Sequence, residues 1–476
     1  MKNLLPPMAR PVRQIVVMLF LMVFAGCAKV DPTPDYERTR AIVADATGSA
    51  DLYIPGQPGE GEDSSIGPTG GMTRNDAVRL ALMNNKELQS LMYEIGVSHA
   101  DAVQAGLLSN PSLDGILRFP QSGGASTLEA GVLQSIFAVF RRPVRQRIAK
   151  AHLERKIMEV AFAATNVAAE ASMAYINALI AYRAKGVATE NLMTARELLF
   201  VVKERLSAGV GTQLDVNAAE AEAVEQDLLR EQSELDLKSA ELALSELMGV
   251  EGGFGLLTAA LTTARPPDVR YGLETLIELA EKNRLDYRAR RVQVEIAKED
   301  LKLEKQKILR QLSVGASIES ASEGTEVGPA LDVELPLFDQ NQAQIAKAEY
   351  RLSQAMAKLS AHGLTLRNEV RLALTQHRTA RQSVELFEKK LLPLRTESLA
   401  LAREAFSEGK TNFLFVIESQ RQLLQTRREY LVRLGTYLNS IAKVEKAVGL
   451  SVCKMAGRLD AGVQETNAVG ASHACN

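Results

Sequence analysis

Two kinds of hydrophobic periodicity alternate along the chain, and each arrangement occurs twice. From Leu312 every second residue is apolar (Leu312, Val314, Ala316, Ile318), and the alternation resumes at Pro329, Leu331, Val333, Leu335 and Leu337. The positions between are mostly Ser, Glu, Asp and Gly, and a Gly- and Ser-rich stretch at 320–328 separates the two runs. Period-two alternation on either side of a turn predicts a β-hairpin. The first half carries a rougher copy: Leu113, Gly115, Leu117 and Phe119, a turn at 121–126, then a less regular strand from Leu128 to Phe140. Helices are expected before each hairpin, at about 73–107 and 272–308, and the first opens at Thr73 with Asp76 three residues on, a capping-box-like start. Each hairpin is followed by a much longer helical stretch, 145–206 and 342–406, then a glycine turn and a return helix to Met248 or Val448. The 62 residues of 145–206 would make a helix of ~90 Å. In the return helices apolar residues recur at sevens, as Leu228, Leu235, Leu242 and as Leu424, Leu431, Leu438. That is the 3.5-residue period of helices wound around neighbours. An amphipathic helix in a compact bundle is the competing reading, but such helices rarely reach this length.

The proline map agrees with the helices. None of the 16 prolines falls between Val144 and Arg265, a run of 122 residues, and only Pro393 follows Pro336. Proline lacks an N–H and clashes with the preceding turn, so it is excluded from helix interiors.

The recurrence is an internal duplication. Leu206-Ser207-Ala208-Gly209 lies over Phe406-Ser407-Glu408-Gly409 at an offset of 200, and the match runs without a gap to Gly249 and Gly449. Upstream, Leu133–Phe140 lies over Leu331–Phe338 at 198, and Ile148–Ala151 over Ile345–Ala348 at 197. Leu80, Ala81, Asn84 and Glu87 lie over Leu279, Ala280, Asn283 and Asp286 at 199. Repeats of 73–250 and 272–450 follow, with a linker at 251–271, an extended segment at 27–72 and a flexible tail at 451–476.

Composition narrows the class. With 46% hydrophobic and 24% charged residues, collagen-like, disulfide-framework and disordered chains are excluded. The balance of 56 Lys+Arg against 58 Asp+Glu gives no footprint for nucleic acid. Only 5% of residues are aromatic and Trp is absent, which argues against a large single-chain porin with aromatic girdles. At the N-terminus Lys2, Arg10 and Arg13 precede an 11-residue apolar run, Ile15–Ala25, a secretory signal too short to span a bilayer. The signal ends in Phe24-Ala25-Gly26-Cys27. Cys453 and Cys475 remain, and an oxidising periplasm would permit a bridge between them. Two unpaired thiols near the tail are the alternative.

Four strands of membrane-crossing length cannot close a barrel, and an open sheet edge is not tolerated in lipid. Barrels begin at about eight strands. Insertion of these hairpins therefore requires several copies: a dimer would supply eight strands and a trimer twelve.

Three motifs carry a family resemblance over most of the mature chain, from about 73 to 450. The glycine turn Arg205–Val216 and its copy, the junction Leu335–Gln342 with Ile345–Ala348, and the Cys27 lipobox resemble the TolC-type outer-membrane efflux channels. The junction is similar to that of the heavy-metal branch served by RND-type pumps. The resemblance implies a mainly α fold with a small β part: a homotrimeric α-barrel tunnel continuous with a twelve-stranded outer-membrane barrel, four strands from each copy. It implies residues 1–26 as a lipoprotein signal peptide, acylation of Cys27, and outer-membrane location, lipid-anchored and membrane-spanning. An ordinary secretory signal with an incidental cysteine is the alternative there. It implies docking on a periplasmic adaptor fed by an inner-membrane pump, with no catalysis and no cofactor or resident metal. The adaptor-contacting positions would be Arg205, Leu206, Ser207, Gly209, Gly211, Thr212 and Asp215 at one tip, and Gly409, Thr411 and Leu414 at the other. A gate of carboxylates would fall at Glu418, with Phe415 standing where another acid is expected.

The sequence leaves other readings to be tested. Arg141, Arg142, Arg145 and Arg147 form a basic cluster suited to a membrane boundary, a lumen wall or an exposed helix start. His362 and His377 lack metal-ligand spacing, and His473 with Cys475 is a weak pair of ligands. A periplasmic scaffolding lipoprotein without a pore would share the helical arms. A pump adaptor would have one main helical hairpin in place of a whole-chain duplication. No nucleophile–base pair or phosphate loop points to an enzyme.

Overall fold

A computed structural model describes residues 29–57, 72–119, 121, 126–250, 271–308, 311–321, 324–452 and 454–455. The signal peptide, Cys27, Cys453, Cys475, His473 and all of the 251–271 linker except Tyr271 lie outside the described residues. The chain divides into two compact units.

The smaller unit takes in 96–153 and 299–345. Its centre is a four-stranded antiparallel meander of β1 (Ser112–Arg118), β2 (Thr127–Ser135), β3 (Leu312–Ala321) and β4 (Gly324–Val333), in that order. The two hairpins join through β2 and β3, with Val132 opposite Ala316 and Leu128 opposite Ser320. β1 and β4 are left as edges. Three expectations change here. The turn at 320–328 is tighter, because pairing continues to Ala321 opposite Gly324. The last strand stops at Val333, four residues before Leu337: Pro336 has no N–H, and the Leu337 amide bonds locally to the Leu335 carbonyl (2.9 Å). The strand expected to run to Phe140 ends at Ser135, whose hydroxyl accepts from the Ala138 amide (3.4 Å) and so starts a helix.

That helix, α4, runs unbroken from Ile136 to Ser207 with Pro143 inside it. Proline there forfeits one helical hydrogen bond, and the Arg145 guanidinium donates to the nearby Ala138 carbonyl (3.3 Å).

The larger unit is helical. α1 (Thr33–Thr47) lies in the segment expected to be extended. Pro34 falls in its first turn, where a missing N–H is harmless, and Tyr36, Thr39 and Val43 are buried. Leu52 and Ile54 are buried beyond it. The helices expected at 73–107 and 272–308 are each two: α2 (Arg74–Asn84) with α3 (Lys86–Ala105), and α6 (Leu273–Asn283) with α7 (Leu285–Gln306). Both breaks fall at equivalent residues of the duplication, Asn85 and Arg284, which adopt extended backbone. Each break serves the end of the return helix of its own repeat, α5 (Gln213–Met248) or α10 (Phe413–Val448). Asn85 accepts from the Leu88 amide (2.9 Å) and donates to the Leu247 carbonyl (3.3 Å). Gly249 sits so close that a Cβ would lie 2.5 Å from the Asn84 carbonyl oxygen. Arg284 lies against Gly449 and donates to the Ala447 carbonyl (3.5 Å).

The second arm is α8 (Gln342–Leu386), a π-helical turn (Phe387–Leu391) and α9 (Leu392–Ser407). Pro393 in the first turn of α9 explains the wider turn before it, since proline cannot complete the preceding α-helical ladder. Each repeat has its own core, around Tyr175, Leu244 and Met248 in the first and Leu276, Leu366, Ile441 and Val448 in the second. The tail begins as part of the second core: Leu450, Val452 and Met455 are buried in it, and the Ser451 amide donates to the Ala46 carbonyl (2.9 Å).

Candidate functional site: the paired helix tips

Each arm ends in the same turn. At the first, the Val210 amide donates to Arg205 O and the Gly209 amide to Leu206 O, both at 3.0 Å; at the second, Lys410 donates to Ala405 O (2.8 Å) and Gly409 to Phe406 O (3.0 Å). This is the Schellman arrangement, which places one residue in the left-handed region. Gly209 and Gly409 take it, with φ of 77° and 74°. Gly211 is needed for a different reason: a Cβ there would come 2.9 Å from the Leu206 amide nitrogen.

The two tips restart differently. Thr212 and Asp215 form a reciprocal capping box: the Asp215 amide donates to Thr212 Oγ1 (3.2 Å), and the Thr212 amide donates to Asp215 Oδ2 (3.2 Å). At the second tip Asn412 accepts from the Phe415 amide (3.3 Å), and Phe415 cannot return the bond. The position where an acid is expected is thus the third helical residue, the one that carries the box in the first repeat.

The tips are packed together beneath this surface. Val202, Val216, Leu399, Phe413, Val416 and Ile417 share one buried cluster, with Leu206 half-buried against it. The Arg205 guanidinium lies 4.5 Å from the Phe406 ring centroid, tying the first tip to the second. Ser207 spends its hydroxyl on the Glu204 carbonyl (2.7 Å), and Thr411 is half-buried. Leu414 and Phe415 are exposed, and so are Val210 and Leu214, which belong to the tip motif but were not singled out from the sequence. Their signal was there: apolar residues stand at the solvent-facing start of a helix. Together the four leave an apolar patch on an otherwise polar turn.

Behind the second tip Glu418 is exposed and accepts from Gln422 Nε2 (2.8 Å). One turn further the two repeats are joined by charge. Glu222 is buried, and it accepts from Arg421 Nη2 (2.8 Å) and Gln226 Nε2 (2.8 Å). Arg421 also reaches Glu225 (3.4 Å), and the hydrogen bond and charge of Glu222 raise its pKa above the ordinary arginine value.

The basic cluster is structural. In the smaller unit Arg141 donates to the Gln306 carbonyl (3.1 Å), Arg142 to the Gly106 carbonyl (2.5 Å), and Arg147 pairs with Glu299 (3.1 Å). Two of the four cations therefore close the C-terminal ends of α3 and α7, where helix carbonyls lack partners and the dipole favours positive charge. Asn341, at φ 65°, does similar work by donating to the Glu304 carbonyl (2.8 Å). Among the described residues no group of three or more His, Cys, Asp or Glu side chains is placed to hold a metal ion. His377 is buried on Ser440 (3.0 Å), and His362 lies on Asp286 (3.0 Å).

A duplicated helix–hairpin–arm–return plan, repeated Schellman tips and a four-stranded meander define an efflux-channel fold. The chain belongs to the outer membrane efflux protein family, whose model matches it twice, over residues 77–250 and 276–450. It is accordingly an outer-membrane efflux component and not an enzyme. Among curated proteins it is 24% identical over 311 residues to the cobalt-zinc-cadmium resistance protein CzcC of Cupriavidus metallidurans, covering 64% of this chain and 73% of the relative. Among solved structures it resembles CusC, described in terms of transmembrane channel formation, with a TM-score of 0.69 at 17% identity over 84% of this chain and 99% of that one. The Campylobacter jejuni CmeC outer membrane channel gives 0.67 at 16% identity, over 88% and 98%.

Proposed function

We propose that three copies of the chain assemble into a passive, gated conduit through the outer membrane, and that the heavy-metal ions of its CzcC relative's name are its cargo. The observation that carries the assembly is a pair of surfaces left uncovered in the single chain. β1 and β4 are edge strands with Leu113, Leu117, Val327 and Leu331 exposed, and lipid tolerates neither an open edge nor a four-stranded barrel. The seven-residue stripe of α5 is equally bare: Leu228, Leu235 and Leu242 are 61%, 59% and 51% exposed. Its counterpart in α10 is already used, with Leu424 and Leu431 at 4% and 7%. A second uncovered stripe runs along α8 and α9, through Leu364, Leu372, Leu386, Leu394 and Leu401. Two different stripes on one protomer suit a head-to-tail contact, which closes into a ring.

In this reading Cys27 carries the acyl anchor. The tips dock on a periplasmic adaptor through Val210, Leu214 and Leu414, and an inner-membrane RND-type pump supplies the energy. Phe415 and Glu418, three residues apart on one face of α10, form the constriction. Three Glu418 carboxylates in a narrow bore favour cations and repel one another. The mass of the purified, detergent-solubilised assembly tests the reading: three chains are expected, and a stable monomer would overturn it.

A further inference from the structure

The register of the sheet sorts its side chains. Residues directly opposite one another share a face, and the two faces alternate along each strand. One face carries Leu113, Val132, Ile318, Val327 and Leu331, and is suited to lipid. The other is built largely of Ser, Gly, Asp and Glu, as in the rung of Asp114, Gly131, Ser317 and Gly328. In a membrane barrel the polar face lines the lumen.

One rung nearer the hairpin turns, that face gathers charge. Ile116 pairs with Glu129, Glu129 with Glu319, and Glu319 with Glu326, so three carboxylates stand side by side across β2, β3 and β4. Their Cβ atoms are then ~5 Å apart. Like charges directly opposite each other destabilise a sheet, so the rung does not serve the fold. The rest of the sheet is sorted in the same sense. Asp114 and Asp332, the remaining acids of the four strands, also lie on the polar face, and the apolar face has none. Arg118 is the one Lys or Arg in the strands, and it pairs with Glu129 (3.0 Å). Glu319 and Glu326 are exposed in the single chain and have no ion-pair partner among the described residues. The three carboxylates are not placed to chelate an ion. They act through their field.

We propose that Glu129, Glu319 and Glu326 determine the ion specificity of the conduit, as a charge filter in the barrel that passes cations and rejects anions. The filter rests on the conduit reading of the chain. It lies six residues along β4 from Asp332, ~20 Å from the helical end of the sheet and close to the outer mouth. Three copies bring three such arcs to one height of the wall, nine carboxylates with three from each chain. Rings of like-charged side chains select ions in this way, and a wall of one sign concentrates counter-ions about tenfold or more. At the tips each chain offers only Glu418, because Phe415 stands where a second acid is expected. Cation preference is therefore set mainly in the barrel and not at the tips.

The test is the reversal potential of the full-length protein in a planar bilayer across a KCl gradient. Wild type is expected to prefer K⁺ over Cl⁻ by about tenfold near 0.1 M salt. Most of that preference should vanish near 1 M, where the screening length falls from roughly 10 Å to roughly 3 Å. Glu319→Gln combined with Glu326→Gln keeps both side-chain shapes and the Arg118–Glu129 pair, and should bring the two permeabilities close to equal. Arg118→Gln removes the one opposing charge and should strengthen the preference, a change of sign that misfolding cannot imitate. Glu418→Gln should move the preference less than the double variant does. A conducting wild type without K⁺ preference would overturn the filter and leave the conduit standing. So would a double variant that keeps the preference, or a preference abolished by Glu418→Gln alone. No current from the wild type would overturn both readings.

Discussion

Replacing Arg284 by Met keeps an aliphatic stem at the second-repeat joint and removes the guanidinium. In the native chain the Arg284 side chain is 6% exposed and makes a two-point contact with Asp286, Nε to Oδ1 at 3.0 Å and Nη2 to Oδ2 at 2.5 Å. Asp286 is itself 15% exposed, so the substitution leaves a carboxylate away from water with only the His362 ring (3.0 Å) and the Tyr287 amide (2.9 Å) beside it. Breaking a buried pair by removing one member costs about 3–5 kcal/mol, because the remaining charge stays desolvated. The second acid, Glu369, is 47% exposed, and its share is that of a surface pair, ~0–1 kcal/mol. About 3 kcal/mol corresponds to a melting shift of roughly 3 °C in a chain of this size, at ~2.1 cal/mol/K of unfolding entropy per residue. The assay is thermal unfolding of full-length protein in non-ionic detergent at neutral pH, comparing wild type, Arg284→Met and Arg284→Met with Asp286→Asn. The double variant removes the stranded charge and should recover most of the loss. A single variant that melts with the wild type, or a double variant no better than the single, would refute the charge-paired hub.

Acid should act through the same residue. Burial alone would raise the Asp286 pKa, but the hydrogen bond and charge of Arg284 outweigh it and hold the carboxyl below its ordinary value. A depressed folded-state pKa gives stability that is present above the unfolded value of about 3.9 and is lost as pH falls below it, which melts between neutral pH and acid will show. The tip caps differ in strength: Thr212→Ala removes a reciprocal box and should cost about 1 kcal/mol, read as faster amide exchange over residues 213–216. Leu228, Leu235 and Leu242 changed together to Glu should leave a folded chain that elutes as a monomer, and persistence of the oligomer would rule out the α5 stripe as the contact. Arg421→Gln should destabilise the tips more than Glu222→Gln does, because only the first leaves a buried charge unpaired, and equal melting temperatures would contradict this. Glu418→Ala should raise conductance or relieve cation block in reconstituted channels, and no change in either would remove Glu418 from the gate.

The duplication makes most of the fold legible in the sequence. Offsets near 200 located both tips, both hairpins and both return helices, because each element must bury the same face in each copy. What periodicity could not show was where an element ends when one side chain decides it. Ser135 turns a strand into a helix by capping it, and Asn85 and Arg284 split two helices by serving the ends of others 160 residues away. Nor could the sevens distinguish Leu228 from Leu424, since an exposed stripe and a buried one share the same period. The arginine cluster left a membrane boundary, a lumen wall and an exposed helix start all open, because the acceptors of Arg141, Arg142 and Arg145 are backbone carbonyls, which carry no sequence signal. Of the tip residues, the glycines, Thr212 and Asp215 were legible through the turn they build. The Arg205–Phe406 contact was not, since it joins residues two hundred positions apart.

Single-channel recording of the purified protein in a planar lipid bilayer tests the central claim most directly. The account predicts discrete, long-lived conductance steps from this chain alone, with no pump, adaptor or energy source added. A purified, folded protein that inserts into the bilayer and passes no current would contradict it.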